Sequence, residues 1–164
     1  MVRTRVSVEV LERAVGDVPD PEVPVVTIED LGILRSVRAD EATGRVRVTI
    51  TPTYSGCPAM GVIERGIVHA AAECGWEAEV VTVLSPPWTT DWVSERGREA
   101  MRRFGIAPPG GAGPVTLTIG RREVACPQCG SVDTEELSRF GSTACKALRR
   151  CRSCREPFEE FKAL

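Results

Sequence analysis

Two C-x-x-C pairs, Cys126-Pro127-Gln128-Cys129 and Cys151-Arg152-Ser153-Cys154, stand 21 residues apart in the last quarter of the chain. They restrict the fold more tightly than any other feature. A tight turn at each pair points backbone N–H groups at the sulfurs, and two such turns build a closed tetrahedral shell. The separation exceeds the usual zinc-ribbon spacing by one residue, within reach of an ordinary insertion. Around the pairs the large apolar residues are few: Leu137, Phe140, Leu148, Phe158 and Phe161. A unit this small cannot hold itself together by burial and needs a staple. Structural zinc on Cys126, Cys129, Cys151 and Cys154 is therefore expected, with a redox dithiol or an iron centre as the alternatives.

Arg139, Lys146, Arg149, Arg150, Arg152 and Arg155 crowd residues 137–155 with no acid among them. The plain reading is compensation of the negative charge of a metal held by four thiolates. The sharper one is a nucleic-acid patch, which nearby Glu135, Glu136, Glu156, Glu159 and Glu160 weaken. The formal net charge of -2 and pI near 5.6 also argue against general binding to nucleic acid. No apolar run is long enough to span a bilayer. The charged N-terminus "MVRTRVSVEVLERAVGDV" does not read as a signal peptide. Seven cysteines in such a chain imply metal or redox chemistry in a reducing, cytoplasmic setting rather than disulfides. Cys145 is spaced as a ligand of neither pair and reads as a small buried hydrophobe.

Upstream, Val8, Leu11 and Val15 at helical spacing predict a helix over about 4–16. "ILRSVRAD" and "GRVRVTIT", joined by "EATG", predict two strands, with Val46, Val48 and Ile50 on one face of the second. A helix follows from Pro58 to Gly75, burying Ile63, Ile67, Ala70, Ala71 and Cys74. "EAEVVTVLSP" suits a central strand covered on both faces. A third helix, capped by Thr90 or Asp91, is expected to turn Val93, Ala100, Met101 and Phe104 inward. "APPGGAGP" is a linker, followed by a short strand "VTLTI". The expectation is an α/β chain: a small two-layer α-β-β-α-β-α domain with a mixed sheet over 1–106, a linker and strand over 107–120, and a four-cysteine zinc ribbon over 121–164.

One further cysteine stands in the turn Thr51-Pro52-Thr53-Tyr54-Ser55-Gly56-Cys57 before the second helix. A helix start stabilises thiolate and lowers the pKa. No base stands nearby at a legible spacing, and the only histidine, His69, falls within the helix. A reactive thiol and a small loop hydrophobe both remain open for Cys57. Asp20, Glu22, Glu29 and Asp30 crowd the loop "PDPEVPVVTIEDLG". They read either as turn caps or as a polar wall beside Cys57.

Asp20-Pro21-Glu22, Asp30-Leu31-Gly32, and Thr51-Pro52-Thr53 with Cys57 resemble the motifs of the small domain shared by iron–sulfur cluster assembly proteins, over about residues 5–106. Over nearly the whole length, "SPPWTTDWVSERGREAMRRFGIAPP", "CPQCGS", "FGSTACKAL" and "CRSCREPFEEFK" are similar to the small D subunits of bacterial phenylacetyl-CoA epoxidase systems. The resemblance implies a non-catalytic accessory subunit that assists the iron–sulfur or di-iron centres of its oxygenase and reductase partners. It implies a role for Cys57 as a thiolate holding transient iron or a cluster, supported by Asp20, Glu22, Asp30, Thr51 and Thr53. One thiolate is an incomplete iron site, so a partner or a homodimer would have to complete it. The alternative is that the ribbon docks the chain on the oxygenase complex without metal transfer. An enzyme with Cys57 as nucleophile is disfavoured by the missing base.

Overall fold

The computed structural model describes residues 5–110 and 123–163. It divides into two compact units, Met1–Trp88 and Thr89–Leu164.

In the first unit, helix α1 (Val8–Gly16) leads through the acidic loop to strands β1 (Leu34–Asp40) and β2 (Arg45–Ile50). Helix α2 (Met60–Glu73) and strand β3 (Glu77–Thr82) complete it. The expected start of α1 near residue 4 moves to Val8, because the preceding segment is tied down elsewhere. Val6 donates its N–H to the Cys74 carbonyl at 3.1 Å and accepts from Trp76 Nε1 at 3.2 Å. Arg5 stacks over the Trp76 ring, 4.9 Å from its centroid. β1 and β2 pair antiparallel across the Glu41–Gly44 turn, where Asp40 Oδ2 accepts from Thr43 Oγ1 at 2.8 Å. β2 pairs parallel with β3 through the α2 crossover, so the sheet is mixed, in the order β1-β2-β3.

The period-two pattern of β2 turns Val46, Val48 and Ile50 inward. They meet Leu11 and Val15 of α1 and Ile63, Ile67 and Ala71 of α2 in the unit's core. Cys74 is buried, as its place on the helical stripe predicts, while Ala70 is only half-covered. On the opposite face Arg45 and Arg47 pair with Glu77 and Glu79 at 3.3 and 3.0 Å; such exposed pairs contribute little. The central strand is β2, not β3. "EAEVVT" lies at an edge with alternating burial, and its apolar content serves one face only.

The second unit contains helix α3 (Glu95–Phe104) and a four-stranded sheet. Its strands are β4 (Ile106–Ala107), β5 (Thr134–Ser138), β6 (Lys146–Cys151) and β7 (Pro157–Phe161), in the order β4-β7-β6-β5. The boundary thus differs from the expected break at 106/107. Ile106 and Ala107 pair parallel with Glu159 and Glu160 of β7, which draws the chain into the ribbon sheet. Residues 108–110 follow β4 as non-repetitive chain, and the expected strand "VTLTI" lies outside the described residues.

α3 is capped by Ser94, whose Oγ accepts from Gly97 N at 2.9 Å, rather than by Thr90 or Asp91. Those two residues belong to a preceding 3₁₀ turn, Thr90–Trp92, which Thr89 caps. Val93 and Met101 are buried as expected, Ala100 is half-covered, and Phe104 turns outward just before Gly105 ends the helix at φ 91°. Replacing Ser94 by Ala removes the cap and should destabilise the second unit by about 1 kcal/mol, read by chemical denaturation; an equal loss for Thr90→Ala with none for Ser94→Ala would contradict the assignment.

Candidate functional site

The four tail cysteines converge. Cys126, Cys129, Cys151 and Cys154 place all their Sγ atoms within 4.8 Å of one another. Cys126 and Cys154 are 3.7 Å apart, and Cys129 and Cys151 are 3.6 Å apart. A tetrahedron with metal–sulfur bonds of about 2.3 Å has edges of about 3.8 Å, so the donor set and its spacing fit zinc.

Two equivalent turns build this cluster. Cys126 N donates to the Ser131 carbonyl at 2.9 Å, and Cys151 N donates to the Glu156 carbonyl at 3.0 Å, each five residues on. The residue after each second cysteine is left-handed: Gly130 at φ 76° and Arg155 at φ 68°. Glycine accommodates this freely; Arg155 is held there against its preference. Ser131 and Ser153 join the turns through a 2.8 Å Oγ contact. That link, and the equivalence of Arg155 with Gly130, carry no mark in the sequence beyond the repeated spacing.

The thiols alone do not ionise together. The N–H of Cys154, 3.5 Å from the sulfur, holds Cys151 down to about 6. Cys154 receives the Glu156 N–H, which favours its thiolate, yet burial and the sulfurs of Cys129, Cys151 and Cys126 push it up to about 12. A divalent cation resolves this conflict by replacing the shared protons. Two of the sulfurs also belong to the apolar core, where Cys126 and Cys151 pack with Ala107, Val124 and Phe158.

Four of the six basic residues of the run are matched by acids. Lys146 pairs with Glu159 at 2.9 Å, and buried Arg149 with buried Glu160 at 3.0 Å. Arg150 and Arg152 both reach Glu135, and Arg152 also approaches Asp133 at 3.7 Å. These cations neutralise carboxylates of the same unit, which weakens the nucleic-acid reading further and makes acids, as well as any bound metal, the charges they offset. Cys145 is buried, with its sulfur 3.0 Å from Thr143 Oγ1.

In the first unit the turn before α2 leaves Cys57 half-buried. Its N–H donates to the Tyr54 carbonyl at 3.2 Å. Burial pushes the Cys57 thiol up from its ordinary value; the N–H groups of Ala59 and Met60 oppose the rise, and the carboxylates of Glu22 and Asp20 add to it. The helix-start N–H groups thus lower the pKa as expected, but burial first, and the carboxylates of Glu22 and Asp20 after it, outweigh them, so the net direction is upward.

The same loop supports both readings of its acids. Asp20 Oδ1 accepts from Glu22 N and Val23 N, each at 2.8 Å, so it shapes the turn while acting on Cys57. Asp30 turns to Thr27, accepting from its Oγ1 at 3.3 Å. Thr51 is buried and donates its N–H to Ile33 O at 2.9 Å; its Oγ1 has no hydrogen-bond partner among the described residues. Thr53 is half-covered. Trp88, which sequence reasoning passed over, anchors the Asp-Leu-Gly turn by donating Nε1 to Leu31 O at 2.8 Å.

A raised pKa means that Cys57 is a thiol at neutral pH and ionises only above the ordinary range. Its alkylation by iodoacetamide, followed by peptide mass mapping, should rise with pH past the midpoint of a free cysteine. Glu22→Gln should shift that midpoint down, because it removes a negative charge that opposes thiolate. An unchanged midpoint would separate Glu22 from the thiol.

Both halves of the chain match known families. Residues 9–85 match the family model described as iron-sulfur cluster assembly protein, and residues 111–162 match the PaaD zinc beta ribbon domain. A protein of Escherichia coli (strain K12), named as the putative D subunit of a 1,2-phenylacetyl-CoA epoxidase, is 49% identical over 150 residues, covering 91% of this chain and 88% of that protein. The Fe-S protein maturation auxiliary factor YitW of Bacillus subtilis (strain 168) is 36% identical over 90 residues, covering 54% of this chain and 86% of that protein. Among solved structures, a domain of unknown function (DUF59) from Bacillus anthracis aligns with TM-score 0.47 and 30% identity, over 56% of this chain and 87% of that one. With one relative matched at this identity along almost its full length, the chain belongs to the family of phenylacetyl-CoA epoxidase D subunits.

Proposed function

We propose that this chain is an accessory subunit of the phenylacetyl-CoA epoxidase system of aerobic phenylacetate catabolism, and that it assists assembly or maintenance of the iron–sulfur or di-iron centre of the partner subunits. The observation that carries this reading is the half-buried Cys57 thiol within electrostatic reach of Asp20 and Glu22. Carboxylates that oppose a bare thiolate attract a cation, so this loop favours the thiolate once an iron ion displaces its proton. Iron here is cargo. One thiolate and two carboxylates, one of them committed to backbone N–H groups, make an incomplete shell. Transfer to a partner that supplies the remaining ligands follows naturally, and a second copy of this chain is the other way to complete it. The membership of residues 9–85 in the iron–sulfur assembly family supports the reading.

In the second unit Cys126, Cys129, Cys151 and Cys154 hold one zinc ion in this proposal, as a structural centre with no open position. Metal analysis should find one zinc per chain in wild type and in Cys57→Ser. Cys154→Ser should lose the zinc and melt the ribbon, since removing one of four thiolates opens the shell on which a small core depends. Full zinc content in Cys154→Ser would reject the assignment.

Cys57→Ser should leave the fold and the zinc unchanged and lower the iron content and activity of the partner oxygenase or reductase assembled beside it. Full iron loading of both partners in a Cys57→Ser strain would sink the maturation role and leave the ribbon as a docking module only.

A further inference from the structure

The stretch from Phe140 to Ala147 belongs neither to the four-sulfur cluster nor to the Cys57 loop, yet it is built with care. β5 carries a bulge between Glu136 and Ser138, which takes Leu137 out of the ladder and leaves it 49% exposed. Phe140, in the turn that follows, is 66% exposed, more than any other large hydrophobic side chain among the described residues.

This turn is tied down at each step. Phe140 N donates to Ser138 Oγ at 3.2 Å, and Gly141 N to Lys146 O at 2.7 Å. Ser142 N donates to Glu159 Oε1 at 2.6 Å, while Glu159 Oε2 pairs with the buried Lys146 ammonium at 2.9 Å. A Cβ on Gly141 would lie 2.7 Å from Glu159 Oε1, so any larger residue would have to displace this carboxylate. Lys162 Nζ sits 4.8 Å from the Phe140 ring centroid and donates to Arg139 O at 3.1 Å. An aromatic ring held above water by a fixed turn loses little freedom on binding, which is how interface anchors gain affinity.

Charge says what it would meet. Lys146, Arg149, Arg150 and Arg152 are matched by acids of the same unit. Arg139 and Lys162, which flank Phe140, have no carboxylate partner among the described residues. Arg139 and Lys162, even with Arg155, are too few among the described residues of the tail to follow a phosphate backbone, and Glu136 and Glu156 on the same unit would repel one. Resting on the reading above that the chain serves epoxidase subunits, we propose that the β5–β6 tip docks on one of them, with Phe140 entering an apolar socket whose acidic rim meets Arg139 and Lys162.

The test is calorimetric titration of the full chain into purified oxygenase and reductase subunits at low and high salt, with zinc content and melting temperature measured on every variant. Phe140→Ala should weaken binding about 30-fold. Arg139→Glu should weaken it and flatten its salt dependence. Both variants should keep wild-type zinc and melting. Binding within twofold of wild type for Phe140→Ala overturns the proposal alone. So does retention of a single-stranded oligonucleotide by wild type that Phe140→Ala abolishes. Failure of the wild-type chain to bind any of the subunits overturns both this proposal and the reading beneath it.

Discussion

Four sulfurs within 4.8 Å of one another set the terms for the second unit. Once ionised they repel, so four thiolates at this spacing close best around a cation. The arrangement is not an addition to the core. Cys126 and Cys151 pack against Val124, Ala107 and Phe158, so the sulfur cluster and the apolar cluster share atoms. The left-handed backbone at Gly130 and Arg155, the matched hydrogen bonds five residues on, and the return of β7 alongside β6 all follow from bringing two turns to one point.

The two units place charge to opposite effect. In the second, cations of β6 and the second turn are matched by carboxylates of β5 and β7, and the buried Arg149–Glu160 pair avoids an isolated interior charge. In the first, burial and the carboxylates of Glu22 and Asp20 all disfavour ionisation of the Cys57 thiol. A thiol kept protonated in this way is a poor nucleophile at neutral pH.

Much of this was legible before the fold was seen. The spacing of Cys126, Cys129, Cys151 and Cys154 specifies a cluster because each pair forms its turn locally, and only two local turns need to meet. The alternation of Val46, Val48 and Ile50, and the stripe of Ile63, Ile67 and Ala71, likewise report which face is buried, because period and burial are tied by backbone geometry. Family membership was legible in the Asp-Pro-Glu, Asp-Leu-Gly and Thr-Pro-Thr…Cys motifs, since these loops recur as residue patterns.

What the sequence could not decide depended on long-range neighbours. "EAEVVT" reads as interior by composition, but whether a strand is central depends on what pairs with its far side. The break between units falls at Trp88 rather than in the Gly-Pro linker, because Ile106 and Ala107 find partners more than 50 residues away in β7. The pKa of Cys57 went the same way. A helix start acts within a turn of chain and can be read locally, whereas burial and the charges of Asp20 and Glu22 arrive from a loop some 35 residues earlier. The sequence alone determined which residues are candidates for chemistry; the tertiary structure decided the sign of the field they feel, because electrostatics and burial are set by distance in space and not along the chain.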